Sequence, residues 1–288
     1  MRPAGSLPAS RFAPSPTGFL HKGHALSALT AAQVAREAGG RFILRIEDID
    51  AERRRPEFEA AIHEDLAWLG LDWERPVRRQ SEHLDDYGAA LEALRARGLV
   101  YRCFKTRAEV LAGIASAPHG PAPAYVGSPL PEAEEAMRLE VGEPFAWRLS
   151  LAAAREALGA AWNELDFVEQ GRGPGGEHGL RQARPDTAGD VILARKGLGV
   201  AYHLAVVVDD ALQGVTHVVR GEDLFEAAHI QRLLQALLGL PTPVYHHHRL
   251  FTGPDGKRLA KRDKAETLRA LRAGGMMPAD LRRELGFG

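Results

Sequence analysis

The sequence predicts an α/β fold in which helices cover a mainly parallel sheet. Short β-rich runs alternate with apolar repeats of helical period along most of the chain. Near the start, residues 11–46 read as strand, turn, helix, strand. With 288 residues, 45% hydrophobic and 26% charged, the chain is long enough for one large domain or a main domain carrying an insertion.

Arg11 to Ala13 reads as a strand end and Pro14 to Gly18 as a turn. A helix is expected from Gly23 to Ala38, with Leu26, Leu29, Ala32 and Val34 near helical spacing and Gly39-Gly40 ending it. Arg41 to Ile46 follows as a strand. Glu57 to Leu69 and Asp85 to Arg97 read as amphipathic helices. After Tyr101 the composition shifts. Residues 113–131 are rich in Ala, Gly and Pro, and 170–189 in Gly and Arg, bracketing an expected insertion. Asp190 to Ala194 and Ala201 to Val208 are expected strands, Thr216 to Arg220 a further strand, and Glu226 to Leu238 a helix. The tail from Pro241 holds a Lys-rich loop and one or two small helices.

Formal net charge is −1, so any nucleic-acid contact must come from local patches. The single cysteine, Cys103, excludes a disulfide within one chain and a cysteine-rich zinc cage. No apolar run reaches the roughly 18 residues of a membrane span. The N-terminal MRPAGSLPAS lacks the apolar core of a signal peptide, and a cytoplasmic protein is expected.

Four stretches carry chemistry. Arg11 to His24 places a turn stiffened by Pro14 and Pro16 at the mouth of a helix. A helix N-terminus favours phosphate, and Gly18 and Gly23 let a ligand approach the backbone. His21 and His24, three apart, share a face and can donate hydrogen bonds to an α-phosphate. On spacing alone, a Pro-rich loop with two surface histidines is equally open. Arg45-Ile46-Glu47-Asp48-Ile49-Asp50 closes a strand with three carboxylates, either a solvated turn, an N-cap at Asp50, or part of a site at a strand's carboxyl end. Tyr202 and Arg220 suit carboxylate recognition, although from the residues alone a structural tyrosine and a surface ion pair are the better reading. Lys257-Arg258-Leu259-Ala260-Lys261-Arg262 follows a turn and offers mobile cations for a triphosphate, or is an ordinary basic loop.

Together and in this order, the first and last stretches resemble the HIGH and KMSKS elements of class I aminoacyl-tRNA synthetases. The run RFAPSPTG, with RIEDID, YHLAVVVDD and HVVRGED, resembles the glutamyl branch. The resemblance covers about Arg11 to Arg262. It implies a Rossmann-like catalytic domain that activates L-glutamate with ATP and Mg²⁺. His21, His24 and Lys261 would be catalytic, with Gly23 and the same three residues binding ATP. Arg11, Phe12, Ala13, Pro14, Ser15, Glu47, Tyr202 and Arg220 would hold glutamate. In that site Arg11 and Arg220 grip the γ-carboxylate, Tyr202 and Ser15 complete the pocket, and Glu47 holds the α-amino group.

Only Lys264 to Gly288 follow the basic loop, so no helical anticodon-binding domain is expected. This resembles the truncated glutamyl paralogues that transfer glutamate to the queuosine base of tRNA(Asp). The implied partners are queuosine-bearing tRNA(Asp), L-glutamate and ATP, with no membrane, and a monomer. The expected organisation is a first catalytic half over 1–100, an acceptor-type α+β insertion over 101–189, a second half over 190–240, and the KMSKS-like loop with a short extension over 241–288.

Two departures stand out. Where the family carries four zinc ligands, the matching positions hold Cys103, Lys105, Tyr125 and Pro129. One thiolate and one phenol cannot build a tetrahedral site, so no zinc is expected. Packing of Phe104, Val110, Leu111 and Ile114 would replace it. Ala260 stands where the family often has Ser. No other metal ligand is assigned; on a strand, His246-His247-His248 would alternate faces. Arg53-Arg54-Arg55, Arg75 with Arg78 and Arg79, and Arg181 with Arg184 are either RNA-contacting patches or solvated faces. Three rivals stay open. They are a minimal enzyme charging a tRNA 3′ end, a silent glutamate- or ATP-binding paralogue, and another HIGH-type nucleotidyltransferase.

Overall fold

The structure, a computed structural model, describes residues 7–106, 108–110, 124–195, 199–251 and 266–287. Its first unit is β1 (Ala9–Phe12), α1 (Lys22–Glu37) and β2 (Arg41–Ile46), with β1 parallel to β2 from Ala9 opposite Arg41 to Phe12 opposite Leu44. The inner face of α1 is largely alanine (Ala25, Ala28, Ala31, Ala35), so the helix sits close on β1. Gly39, at φ +62°, supplies the left-handed residue that turns the chain out of α1. α2 (Pro56–Trp68), β3 (Glu74–Arg79) and α3 (Leu84–Ala96) follow, and β3 adds parallel to β2.

The chain next forms β4 (Val100–Cys103), α4 (Glu132–Glu140), β5 (Ala146–Leu149), α5 (Leu151–Leu158), β6 (Asp166–Glu169), β7 (Gly179–Gln182), β8 (Ile192–Arg195) and β9 (Gly199–Val200). It returns through α6 (Tyr202–Leu212), β10 (His217–Gly221), α7 (Phe225–Leu238) and β11 (Val244–His248), and closes with α8 (Leu268–Ala273) and α9 (Pro278–Glu284).

Two sheets result. The larger has the order β3-β2-β1-β10-β11-β6-β7, parallel except for β7; the smaller, β4-β5-β8-β9, is antiparallel. Helices cover both faces of the larger sheet. On one face Tyr87, Leu94, Leu204 to Val208 and Leu233 pack against Ile43, Val218 and Tyr245. On the other, Leu26, Leu29, Ile62, Leu66, Leu268 and Leu281 pack against Phe12, Leu44 and Ile46. No helix among the described residues is long and apolar enough to cross a membrane.

Three expectations need correction. Residues 201–208, expected as a strand, begin α6, which packs between α3 and α7. Every residue from Leu204 to Asp210 is buried, so the run shows no helical phase, and burial overrides the β preference of Val206 to Val208. The expected insertion 101–189 is not one piece: β6 and β7 belong to the larger sheet, where β6 pairs with β11. Conversely β8 and β9, expected in the second catalytic half, belong to the smaller sheet.

Around the departed zinc positions, Cys103 is buried and its sulfur lies 3.7 Å from the Tyr125 hydroxyl. The Lys105 ammonium sits 5.6 Å from the Tyr125 ring centre, and Pro129 is exposed. Phe104 and Val110 are buried; Leu111 and Ile114 lie outside the described residues. No group of three or more His, Cys, Asp and Glu side chains among the described residues could hold a metal ion.

Candidate active site

The carboxyl ends of β1, β2, β10 and β11 open into a cleft of about 1240 Å³. β1 lies between β2 and β10, so the chain winds outward from it in both directions. Such a switch point is where open α/β sheets bind ligands. The opposite wall comes from the smaller sheet, through Arg148, Ile192, Arg195 and Val200.

Arg11, Phe12, Ala13, Pro14, Ser15, His21, Gly23, His24, Glu47, Tyr202 and Arg220 all line this cleft. Lys261 and Ala260 lie outside the described residues. The residues flanking their segment are at the site: Phe251 lines the cleft, and Thr267 bridges to His21.

The start of α1 fixes both histidines. His21 caps the helix, its Nδ1 accepting from the Gly23 amide at 3.1 Å. His24 reaches back, its Nδ1 accepting from the His21 amide at 3.2 Å. An Nδ1 that accepts a hydrogen bond carries no proton, so each neutral ring bears its N–H on Nε2. Two ring donors therefore stand at the helix N-terminus, their ring centres 3.9 Å apart.

Beneath the cleft runs a buried ion network. Arg11 on β1 donates from Nε to Asp210 Oδ1 at 3.1 Å and from Nη1 to the Val219 carbonyl at 3.0 Å. The same Asp210 oxygen accepts from Arg45 Nη1 at 2.8 Å, and Arg45 Nη2 donates to Glu47 Oε1 at 3.1 Å. Asp209 accepts from Arg78, Gln80 and Tyr87. Three arginines (11, 45 and 78) thus face three carboxylates (47, 209 and 210), and each charge of this network has a partner of opposite sign. Burial drives the Asp210 carboxyl upward, but Arg11 and Arg45 outweigh it and hold it below the usual range. At Glu47 burial wins over Arg45 and Arg11, and the carboxyl sits above its usual range.

On β10, Arg220 is buried with its guanidinium anchored on two sides. Nε donates to His247 Nε2 at 3.0 Å, and Nη1 to Gln231 Oε1 at 2.8 Å and the Tyr202 hydroxyl at 3.5 Å. Nη2 has no hydrogen-bond partner among the described residues. A buried charged donor in that state lacks the acceptor that such groups ordinarily have. His203, beside Tyr202, also lines the cleft; burial and then Arg220 push its imidazole down to about 4, so it is neutral.

The remaining sequence candidates take structural places. Asp48 is buried, accepting from the Ser81 amide and hydroxyl and from Arg54. Asp50 accepts from the Arg53 amide and side chain, and Arg55, not Asp50, stands at the N-cap of α2. His246, His247 and His248 alternate faces on β11, with only His247 fully buried. Arg78 and Arg79 are held by Asp209, Asp86 and Glu59, while Arg184 is exposed. Sequence reasoning missed Arg45, Asp210, Glu169, His247 and Gln231. The Asp209-Asp210 pair was visible as a motif, but only the folded sheet brings it beneath Arg11 and Arg45.

Residues 9–159 and 178–286 match the family model of tRNA synthetases class I (E and Q), catalytic domain. A glutamyl-Q tRNA(Asp) synthetase of Rhodobacter capsulatus is 50% identical, over 96% of this chain and 99% of that protein. The glutamate–tRNA ligase 2 of Dinoroseobacter shibae is 42% identical over 94% of this chain, which spans 59% of that protein. Among solved structures, a glutamate tRNA ligase from Elizabethkingia meningosepticum, crystallised with its amino acid, superposes with a TM-score of 0.78 at 28% identity, covering 97% of this chain and 60% of that one. The chain belongs to the class I tRNA synthetases of the glutamate and glutamine group, and its cleft lies in their catalytic domain.

Proposed function

We propose that this chain activates L-glutamate with ATP and transfers it to the queuosine base of tRNA(Asp). The observation that carries the glutamate half is the anchored Arg220 with its unpartnered Nη2, beside Tyr202. A side-chain carboxylate supplies the missing acceptor, and Arg11 adds positive charge across the cleft. Glu47 receives the α-ammonium. Magnesium enters with ATP as part of that substrate, and no zinc is invoked.

In the first step an oxygen of the glutamate α-carboxylate attacks the α-phosphorus of ATP. The bond to the β-phosphate oxygen breaks and pyrophosphate leaves. His21 and His24 donate from Nε2 to the phosphate oxygens as negative charge builds, and Lys261 steadies the leaving group. In the second step a hydroxyl of the queuosine cyclopentene ring attacks the acyl carbon. An ester forms, AMP departs, and the hydroxyl loses its proton. The relatives named glutamyl-Q tRNA(Asp) synthetase support this acceptor. Such a reaction takes place in the cytoplasm, and one chain supplies all the residues it uses.

Glutamate–tRNA ligases 42% and 41% identical to this chain favour a second reading, in which the acceptor is a tRNA 3′ end. The test is transfer of labelled glutamate, with ATP, onto tRNA(Asp) with and without queuosine, beside tRNA(Glu). Label on queuosine-bearing tRNA(Asp) alone is expected. Label on tRNA(Glu) would make this a minimal charging enzyme. Glutamate-dependent pyrophosphate exchange without any labelled RNA would retain the active site and discard the acceptor. Neither exchange nor label would favour a silent binding paralogue.

A further inference from the structure

We infer that Glu169 and His247 are positioning residues for Arg220, and that through it they set the preference for a carboxylate side chain over its amide. The inference rests on the glutamate reading of the Arg220 pocket and adds the chain of groups behind it.

Glu169 ends β6 with no exposed surface. Its Oε1 accepts from the His247 and Gly171 amides at 2.9 and 2.8 Å, and its Oε2 takes the His247 Nδ1–H at 2.5 Å. Gly171 is needed for this approach, since a Cβ there would stand 2.1 Å from the His247 carbonyl oxygen. The imidazole is boxed by Tyr245, stacked at 6.0 Å, and Phe225 at 5.2 Å. With its proton on Nδ1, His247 presents the Nε2 lone pair to Arg220 Nε–H. A protonated ring would set N–H against N–H and charge against charge. Burial first, then Arg220, keep His247 below its usual range despite Glu169, so the ring is neutral.

Arg220 is thereby tied at Nε by His247 and at Nη1 by Gln231, which fixes the plane of the guanidinium. A carboxylate offers acceptors at both of its positions. An amide offers one, and its NH₂ meets fixed donors that cannot turn away.

Glu169→Gln is nearly isosteric and tests this directly. Two backbone amides require an oxygen at the Oε1 position, so the new NH₂ falls opposite His247 Nδ1. The imidazole must then carry its proton on Nε2, aimed at Arg220 Nε–H. In His247→Gln the side-chain oxygen can still accept from Arg220, and there is no tautomer to reverse.

The experiment is glutamate-dependent ATP–pyrophosphate exchange by the wild-type chain, Glu169→Gln, His247→Gln and the double variant, with ¹⁵N spectra of the histidines. For Glu169→Gln we expect the glutamate KM to rise by about 10-fold or more, with kcat and the ATP KM within about 3-fold. The glutamate-over-glutamine ratio of kcat/KM falls in step, and His247 changes from Nδ1–H to Nε2–H. The double variant is no worse than His247→Gln. Wild-type exchange with an unaltered glutamate KM in Glu169→Gln would overturn this inference alone. So would equal losses in kcat and both KM values, which mark a merely structural role. No exchange by the wild-type chain would overturn the glutamate reading and this inference with it.

Discussion

His21 and His24 face each other 3.9 Å apart, each with its Nδ1 committed to a backbone amide at the head of α1. Each interaction both caps the helix and fixes the tautomer that makes Nε2 a donor. Asparagine can imitate Nδ1 but not Nε2, so His24→Asn separates the two roles. We expect His24→Asn to lower the rate of adenylate formation by about 10²-fold while melting within a few degrees of wild type. His24→Ala should lose a similar rate and, in addition, about 1 kcal/mol of stability. Pyrophosphate exchange and thermal melts read the two effects apart. An Asn variant with full exchange would remove His24 from catalysis.

Glu47 should give the enzyme an acid limb at an unusual position. Burial holds its carboxyl above the ordinary range even though Arg45 lies 3.1 Å away. In the proposed site the α-ammonium of glutamate binds only when Glu47 is ionised. As pH falls, kcat/KM for glutamate should therefore drop at a pH higher than an ordinary glutamate side chain would give. In Glu47→Gln the glutamate KM should rise by about 10-fold or more, and that limb should vanish. A limb that persists in the variant would belong to another group.

Asp210 serves Arg11 and Arg45 with one oxygen. Removing its charge leaves Arg45, with no exposed surface, short of a counter-ion. Asp210→Asn should cost about 3–5 kcal/mol of stability and raise the glutamate KM through Arg11. The sign with pH follows from its depressed pKa. The stabilisation is present above the unfolded carboxyl value and is lost as pH falls through the lower folded value. Urea unfolding between pH 7 and pH 3 should show wild type converging on the variant as it acidifies; parallel curves would contradict the assignment.

Arg220→Ala and Lys261→Ala should fail differently. In the proposed reaction Arg220 meets the substrate in ground and transition states alike, so its loss should raise the glutamate KM by about 10²-fold with less effect on kcat. In the proposed reaction Lys261 steadies the leaving pyrophosphate, so its loss should lower the rate of adenylate formation and spare the glutamate KM. Steady-state exchange with glutamate and ATP varied separately distinguishes them. Unchanged exchange in both variants would sink the two assignments.

What the sequence made legible follows from where each signal lies. Arg41 to Ile46 reads as a strand because its apolar run is short, with glycines before it and carboxylates after it, and the structure places β2 there. The histidines are legible in the continuous run from β1 into α1, and Glu47 and Arg220 in runs at the carboxyl ends of β2 and β10. α6 was not legible, since a helix buried on every side has no polar face to phase it. Asp210 and Glu169 were not legible because their partners come from distant strands. Asp210 meets Arg11 across 199 positions, and Glu169 meets His247 across 78. Neither pairing exists until β1, β6 and β11 take their places in the sheet.

Asp65 offers a stability test independent of the cleft. It faces inward from α2 with no exposed surface, and neither carboxyl oxygen has a hydrogen-bond partner among the described residues. Arg272 of α8 is 3.9 Å away. Burial outweighs that attraction and pushes the carboxyl up to about 6 from an ordinary 3.8. Between those values the folded chain holds a proton that the unfolded chain has released. Stability from this group is therefore greatest below the ordinary value and declines as pH rises through about 6. Asp65→Asn should be more stable than wild type at pH 7.5, by up to about 3 kcal/mol, and the difference should close below about pH 4. Urea unfolding of both proteins at pH 7.5 and pH 4 measures this. A wild-type chain more stable than the variant at pH 7.5 would mean that the pull of Arg272 exceeds the penalty of burial.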